Sequence, residues 1–267
     1  MGGECLTWQC MDCPAHDSAY VRGHPMWTPL AMNLAKETDV PVFGESRLVR
    51  ITEKTAVNYR KCLSVSTAFP APLLDALSAY TYLLKTHDAS KITFIGDSAG
   101  AHLCLFLSRY LTTIDLPQPS AMGLISPWAD FAPAYPSYRN NGWYDFLQPQ
   151  RLVKAIDSAM RWYAPFMRKS VWFSPAKASK GDWSYLAEAN VDMHLTLGTR
   201  ELFEDEIRLL REVMERDGVD VRLYEVCLTR GNIAKAKHPD GVHTEMNIDA
   251  TARAAFIQGL KVSIAKN

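Results

Sequence analysis

The chain lacks several features that would define its class at once. No run of about 18 apolar residues occurs in its 267 residues, which excludes a membrane-spanning helix within this sequence. The opening MGGECLTWQCMDCPAHD has no basic segment followed by an apolar run of signal-peptide length, so a soluble, cytoplasmic protein is expected. Net charge is also missing, because 29 Lys and Arg balance 29 Asp and Glu. With no overall field to gather phosphate backbones or anionic lipid, nucleic acid is not an expected partner, and a small neutral molecule is. Six cysteines are too few for a disulfide framework in a chain of this size, which suits a reducing compartment. Cys10 and Cys13 form a CxxC pair, but a structural zinc site needs a second pair that is absent, so no metal is expected. No internal repeat or low-complexity tract is present.

What is present is an alternation of two patterns. Short apolar, β-rich segments occur at 40–43, 91–95, 122–126, 193–198 and 221–226. Between them lie helical patterns at 29–37, 72–85, 99–111, 152–167 and 201–217, with a last one at 249–265. Strand and helix in alternation predict an α/β fold, a mostly parallel sheet with helices on both faces, and the length suits one such domain. Sites in such sheets sit beyond the carboxyl ends of the strands. The segment 133–175 departs from the rhythm and is dense in proline and aromatics. Trp143, Tyr144, Phe146, Trp162, Tyr163, Trp172 and Phe173 would together form an apolar wall or lid over a site, the alternative being an ordinary long connection.

The stretch KITFIGDSAGAHLCLFL, residues 91–107, carries the chemistry. Gly96, Ser98 and Gly100 fit G-x-S-x-G. Three fixed positions recur by chance in about one chain in ten of this length at ordinary Gly and Ser frequencies, so context has to decide. A strand turning sharply into a helix holds its central residue in a strained conformation and tolerates only small neighbours, here Gly96, Ala99 and Gly100. Such a turn lifts the Ser98 hydroxyl above the sheet and aims the Ala99 amide, at a helix N-terminus, toward negative charge on a bound acyl oxygen. A serine that merely caps the helix would explain the helix start but not both glycines.

GDSAGAHL with its preceding strand, SPWADF at 126–131, AYVRGH at 19–24 and the order of elements resemble the α/β-hydrolase superfamily, in particular the hormone-sensitive-lipase-like esterases and their fungal steryl-acetyl-hydrolase branch. The resemblance implies a serine carboxylesterase for small apolar, short-chain acyl or acetyl esters, with no cofactor. A serine hydroxyl needs a base, and the base an orienting carboxylate; this fold supplies them in the chain order Ser, acid, His. Four histidines follow Ser98. His102, one turn along the same helix, is expected to be packed, and His194 lies within a strand. His243, in DGVHTEM before the last helix, matches the family's GxxH position and is preferred over His238. For the acid, ELFEDE follows the strand at 193–198 and matches the family's D-x-L-x-D-E pattern with Glu201 in the catalytic slot. Asp205 is the second choice, and the acidic cluster could also simply favour a helix N-terminus.

The resemblance also exposes departures. The family's His-Gly-Gly loop, which donates to the oxyanion, corresponds here to AHDSAY, with Asp17 and Ser18 where glycines belong. Losing one such donor costs about 2.7 to 4 kcal/mol of transition-state stabilisation. The preceding LTWQCMDCP reads as a poor strand, the family's earlier strands are missing, and residues 44–56 and 227–239 interrupt the alternation. Two explanations stand beside an active enzyme: a hydrolase-fold protein that no longer turns over, acting as a binding module, or a truncated coding sequence with displaced exon boundaries.

Overall fold

The computed structural model describes residues 4–9, 42–43, 59–143, 145, 147–226 and 250–265. Among the described residues six strands form one sheet: β1 (Glu4–Gln9), β2 (Val42–Phe43), β3 (Ile92–Asp97), β4 (Ala121–Ile125), β5 (Asp192–Gly198) and β6 (Val221–Val226), in the order β2-β1-β3-β4-β5-β6. Every pairing is parallel. Strands β3 and β4 are buried along their whole length, as strands covered on both faces must be, which is why they read as continuous apolar runs.

Seven α-helices accompany the sheet among the described residues: α1 (Ala71–Leu83), α2 (Ala99–Thr113), α3 (Ser137–Asn140), α4 (Pro149–Ala159), α5 (Ser184–Glu188), α6 (Glu204–Arg216) and α7 (Ala250–Ala265). Helix α2 packs along β1, β3 and β4 and is the most deeply set, with Leu103, Cys104, Leu107 and Leu111 almost wholly buried. Truncating one such leucine to alanine costs about 2–5 kcal/mol, so the helix behind Ser98 is held rigidly. Helix α7 packs along β4, β5 and β6, and approaches β4 so closely that a Cβ on Gly123 would lie 2.9 Å from Phe256 Cζ. No helix among the described residues is long and apolar enough to cross a membrane.

Three sequence readings need correction. The N-terminal stretch containing Leu6, Thr7 and Trp8 is a strand, β1, and not a poor one: it lies inside the sheet, with Cys5 opposite Val42 on one side and Thr93 on the other. Neighbours on both edges satisfy its backbone, which outweighs its weak pattern. The helix expected over 152–167 spans Pro149–Ala159 and is followed by a short 3-10 turn, Pro165–Lys169. Pro165 has no N–H to give, and its ring would strike the carbonyl four residues earlier. The helix expected from 201 starts at Glu204, because residues 201–203 form a turn in which the Leu202 amide donates to Asp145. The helix expected at 29–37 and the interruptions at 44–56 and 227–239 lie outside the described residues.

Candidate active site

The turn from β3 into α2 has the strain that its sequence implied. Ser98 sits at φ 56°, ψ −116°, a region that L-residues with side chains rarely occupy. The strain is held by the sheet beside it. The Ser98 amide donates to the Ile125 carbonyl of β4 at 2.9 Å, and its carbonyl accepts from the Trp128 amide at 3.2 Å and the His102 amide at 3.1 Å. Gly96 is required sterically: a Cβ there would lie 2.5 Å from the carbonyl carbon and oxygen of Gly100. The Ser98 side chain makes no capping bond to the helix, so Ser98 is not a helix-capping serine. Ala99 is the first residue of α2, and its amide is among those that a helix leaves without an internal acceptor.

Glu201 follows β5, two strands from Ser98 at the same, carboxyl edge of the sheet. Two inter-strand spacings come to about 10 Å. Its side chain is fully buried. Asp205, in the first turn of α6, uses its Oδ2 to accept the Ser137 amide at 2.8 Å. The structure therefore brings Ser98, Ala99 and Glu201 to one edge; His243, His238, Asp17 and Ser18 lie outside the described residues. His102 is packed, as expected: it is buried and stacked on Phe131 with ring centroids 4.5 Å apart. Burial pushes its pKa down to about 4, with the Trp128 and Trp172 backbone pulling weakly the other way. His194 is in β5, buried, with Nδ1 3.1 Å from the Tyr224 hydroxyl and Nε2 2.9 Å from Ser263 Oγ. It belongs to the packing under α7.

The aromatics of 133–175 separate. Phe173 joins the core beside Phe69, Phe106 and Phe131, whereas Trp143, Trp162 and Phe166 are exposed. Tyr144 and Phe146 lie outside the described residues.

A buried carboxyl pair went unassigned in the sequence. Asp130 Oδ1 accepts from the Ala132 amide and Ser174 Oγ, and its Oδ2 accepts from the Tyr135 hydroxyl and pairs with Lys177 Nζ at 2.6 Å. Glu206 accepts from the Ala129 amide on one oxygen and the Tyr138 hydroxyl on the other, at 2.7 and 2.8 Å. Burial holds the Glu206 carboxyl well above the ordinary carboxylate range, and the negative charge of Asp130 adds to that, against the hydrogen bonds it accepts. Asp130 stood within the SPWADF motif, and Glu206 within an acidic run that a helix N-terminus accounts for. Only the packing of one against the other's loop separates a buried role from a surface one.

The sequence profile of the alpha/beta hydrolase fold family matches residues 47–227. The chain belongs to that family. Among curated hydrolases it resembles an acetyl-hydrolase of Streptomyces hygroscopicus, at 29% identity over 171 residues, which make up 64% of this chain and 54% of the relative. It also matches a triacylglycerol lipase of Mycobacterium tuberculosis at 43% identity over 44 residues, 16% of this chain and 10% of that one. The chain thus spans about half the length of the acetyl-hydrolase and far less of the lipase. Solved hydrolase structures match it along almost its whole length. One is an esterase from the bacterial hormone-sensitive lipase family, with TM-score 0.73 at 20% identity, covering 99% of this chain and 77% of that one. Another is carboxyl esterase 2 of the mycorrhizal fungus Tuber melanosporum, with TM-score 0.73 at 18% identity, covering 99% and 78%. At these identities the likeness establishes the fold, and that fold is the one read from GDSAGAHL.

Proposed function

We propose that this hydrolase-fold chain is a serine carboxylesterase acting on small apolar esters with short acyl groups, acetate among them. Ser98 Oγ attacks the ester carbonyl carbon while the imidazole of His243 takes its proton. Glu201 holds that imidazole and stabilises its charged form, and the Ala99 amide donates to the oxygen that becomes negative. The proton then passes to the departing alkoxide, leaving an acyl-serine, and a water molecule repeats the sequence to release the acid. The segment 133–175 acts as a lid over the acyl site. The observation that carries this reading is the strained Ser98, braced by β4 and not spent on capping its helix, at the same sheet edge as a fully buried carboxylate. The acetyl-hydrolase name of the Streptomyces relative supports the acyl class.

The second reading is a hydrolase-fold binding protein without turnover. Asp17 and Ser18 favour it, since an aspartate beside a developing oxyanion sets like charge against like. A fluorophosphonate probe separates the two. Labelling of the wild type but not of Ser98→Ala, together with release of p-nitrophenol from p-nitrophenyl acetate, is the expected result. A folded wild type that resists the probe would establish the binding protein instead.

A further inference from the structure

We infer that Asp145 is a positioning residue for the acid of the triad, and that through it the segment 133–175 sets the orientation of Glu201. This rests on the esterase reading above. The carbonyl of Glu201 and the amide of Leu202 are the two ends of one peptide group. Asn141 Nδ2 donates to that carbonyl at 3.0 Å, and the amide donates to Asp145 Oδ2 at 2.7 Å. A peptide gripped at both ends is restrained against rotation, so the backbone torsion that aims the Glu201 side chain is held from outside its own turn as well as from within it. Both grips come from the aromatic-rich segment. The next carbonyl, of Leu202, accepts from Ser137 Oγ at 2.7 Å, from the same segment.

Asp145 is suited to this by its charge and its two oxygens. Its Oδ1 accepts the Leu147 amide at 2.9 Å while Oδ2 reaches across to Leu202, and the residue is only 6% exposed. A carboxylate can accept from two amides at once, and charge-assisted bonds of this kind are about twice as strong as neutral ones. Asparagine could serve only one of the two amides and would turn a donor toward the other. The turn has two bonds of its own, Glu201 N to Gly198 O and Glu204 N to Glu201 O at 3.1 and 3.3 Å, but both are longer than the Asp145 bond and neither engages the Leu202 amide.

The test is kinetic, with kcat for p-nitrophenyl acetate expressed per site titrated by the fluorophosphonate, so that unfolded protein does not count. Asp145→Asn is expected to lower kcat by about 10- to 100-fold, the scale of a misplacement near 1 Å, and to leave KM within about twofold. In a Glu201→Gln background the same substitution should have almost no further effect, because the group it positions is already disabled. A full drop in that background would mean that Asp145 acts elsewhere, and an unchanged kcat in the native background would mean that it positions nothing. Either result overturns the inference while wild-type labelling at Ser98 still stands; loss of that labelling would instead remove the esterase reading. Should Asp145→Asn yield no folded protein, Asn141→Ala releases the other end of the same peptide and carries the same expectations.

Discussion

His102 Nδ1 lies 2.9 Å from the Trp128 carbonyl oxygen, and the Trp128 amide in turn donates to the carbonyl of Ser98. An imidazole one helical turn from Ser98 thus braces the loop that holds the Ser98 backbone. The carbonyl can only accept, so Nδ1 carries a proton, and burial, which pushes the pKa down to about 4, keeps the ring neutral at pH 7.

This neutrality makes a pH prediction. The folded-state pKa of His102 is about 4, below the ordinary 6.5, so its contribution to stability is fully present above pH 6.5 and is lost as pH falls through 4. The difference corresponds to about 3 kcal/mol. His102→Asn keeps a donor near the Nδ1 position without titrating. Urea midpoints measured from pH 7 to pH 4 should fall more steeply for the wild type than for the variant. Parallel curves would mean that the ring is charged or reaches water.

Glu206 runs the other way. Its folded pKa is raised, so it favours the folded state at low pH and loses that contribution as pH climbs from the unfolded carboxylate value through the folded one. Glu206→Gln removes the titration and keeps an acceptor for the Ala129 amide. The wild type should be the less stable of the two at pH 8 and should lose that deficit toward pH 5. The deficit grows by up to about 1.4 kcal/mol per pH unit until the folded pKa is reached. Thermal melts across this range check it, since a constant offset would show that the carboxyl does not titrate on unfolding.

The contrast between these groups shows what the sequence could carry. The Ser98 turn was legible because its demands are local: small residues at 96, 99 and 100, a strand before and a helix after. His102 was read as packed from its place on the helix and is buried, and His194, placed in a strand, lies in β5. Glu201 was chosen as candidate acid only through resemblance, since an acidic run after a strand also fits an ordinary helix start. Asp145 and the Asp130 and Glu206 pair were not readable. Asp145 meets Leu202 across 57 positions of sequence, and a carboxylate that will be buried looks the same in sequence as one that will face water. Strand β1 was misread because its pairing partners, not its own pattern, hold it in the sheet.

Gly96 gives a steric prediction. Gly96→Ala would place a methyl 2.5 Å from backbone atoms of Gly100 and 2.6 Å from the Ala101 amide nitrogen, none of which can swing aside as a side-chain end could. A loss of roughly 3 kcal/mol or more is expected, a Tm drop of about 6–12 °C, with fluorophosphonate labelling strongly reduced. Gly142→Ala is the control, because the nearest atom to its added methyl is the Tyr138 carbonyl oxygen at an ordinary 3.4 Å. Equal melting of the two variants would show that the turn relaxes freely.

The two candidate acids separate by what their neighbours already ask of them. Asp205 Oδ2 is engaged by the Ser137 amide, and its place in the first turn of α6 is favoured by the helix dipole, so its charge has structural work nearby. Glu201 is fully buried at the carboxyl edge of the sheet two strands from Ser98, the edge at which the esterase reading places the triad. Glu201→Gln should therefore keep the fold and lower kcat by about four orders of magnitude, the scale seen when a triad carboxylate becomes an amide. Asp205→Asn should cost roughly 1 kcal/mol of stability and leave kcat within a few-fold. Both values, taken per fluorophosphonate-titrated site beside a melting curve, decide the assignment. If Asp205→Asn lost activity on the larger scale and Glu201→Gln did not, the acid would belong one turn later, and the Ser137 amide would be a ligand of the catalytic carboxylate.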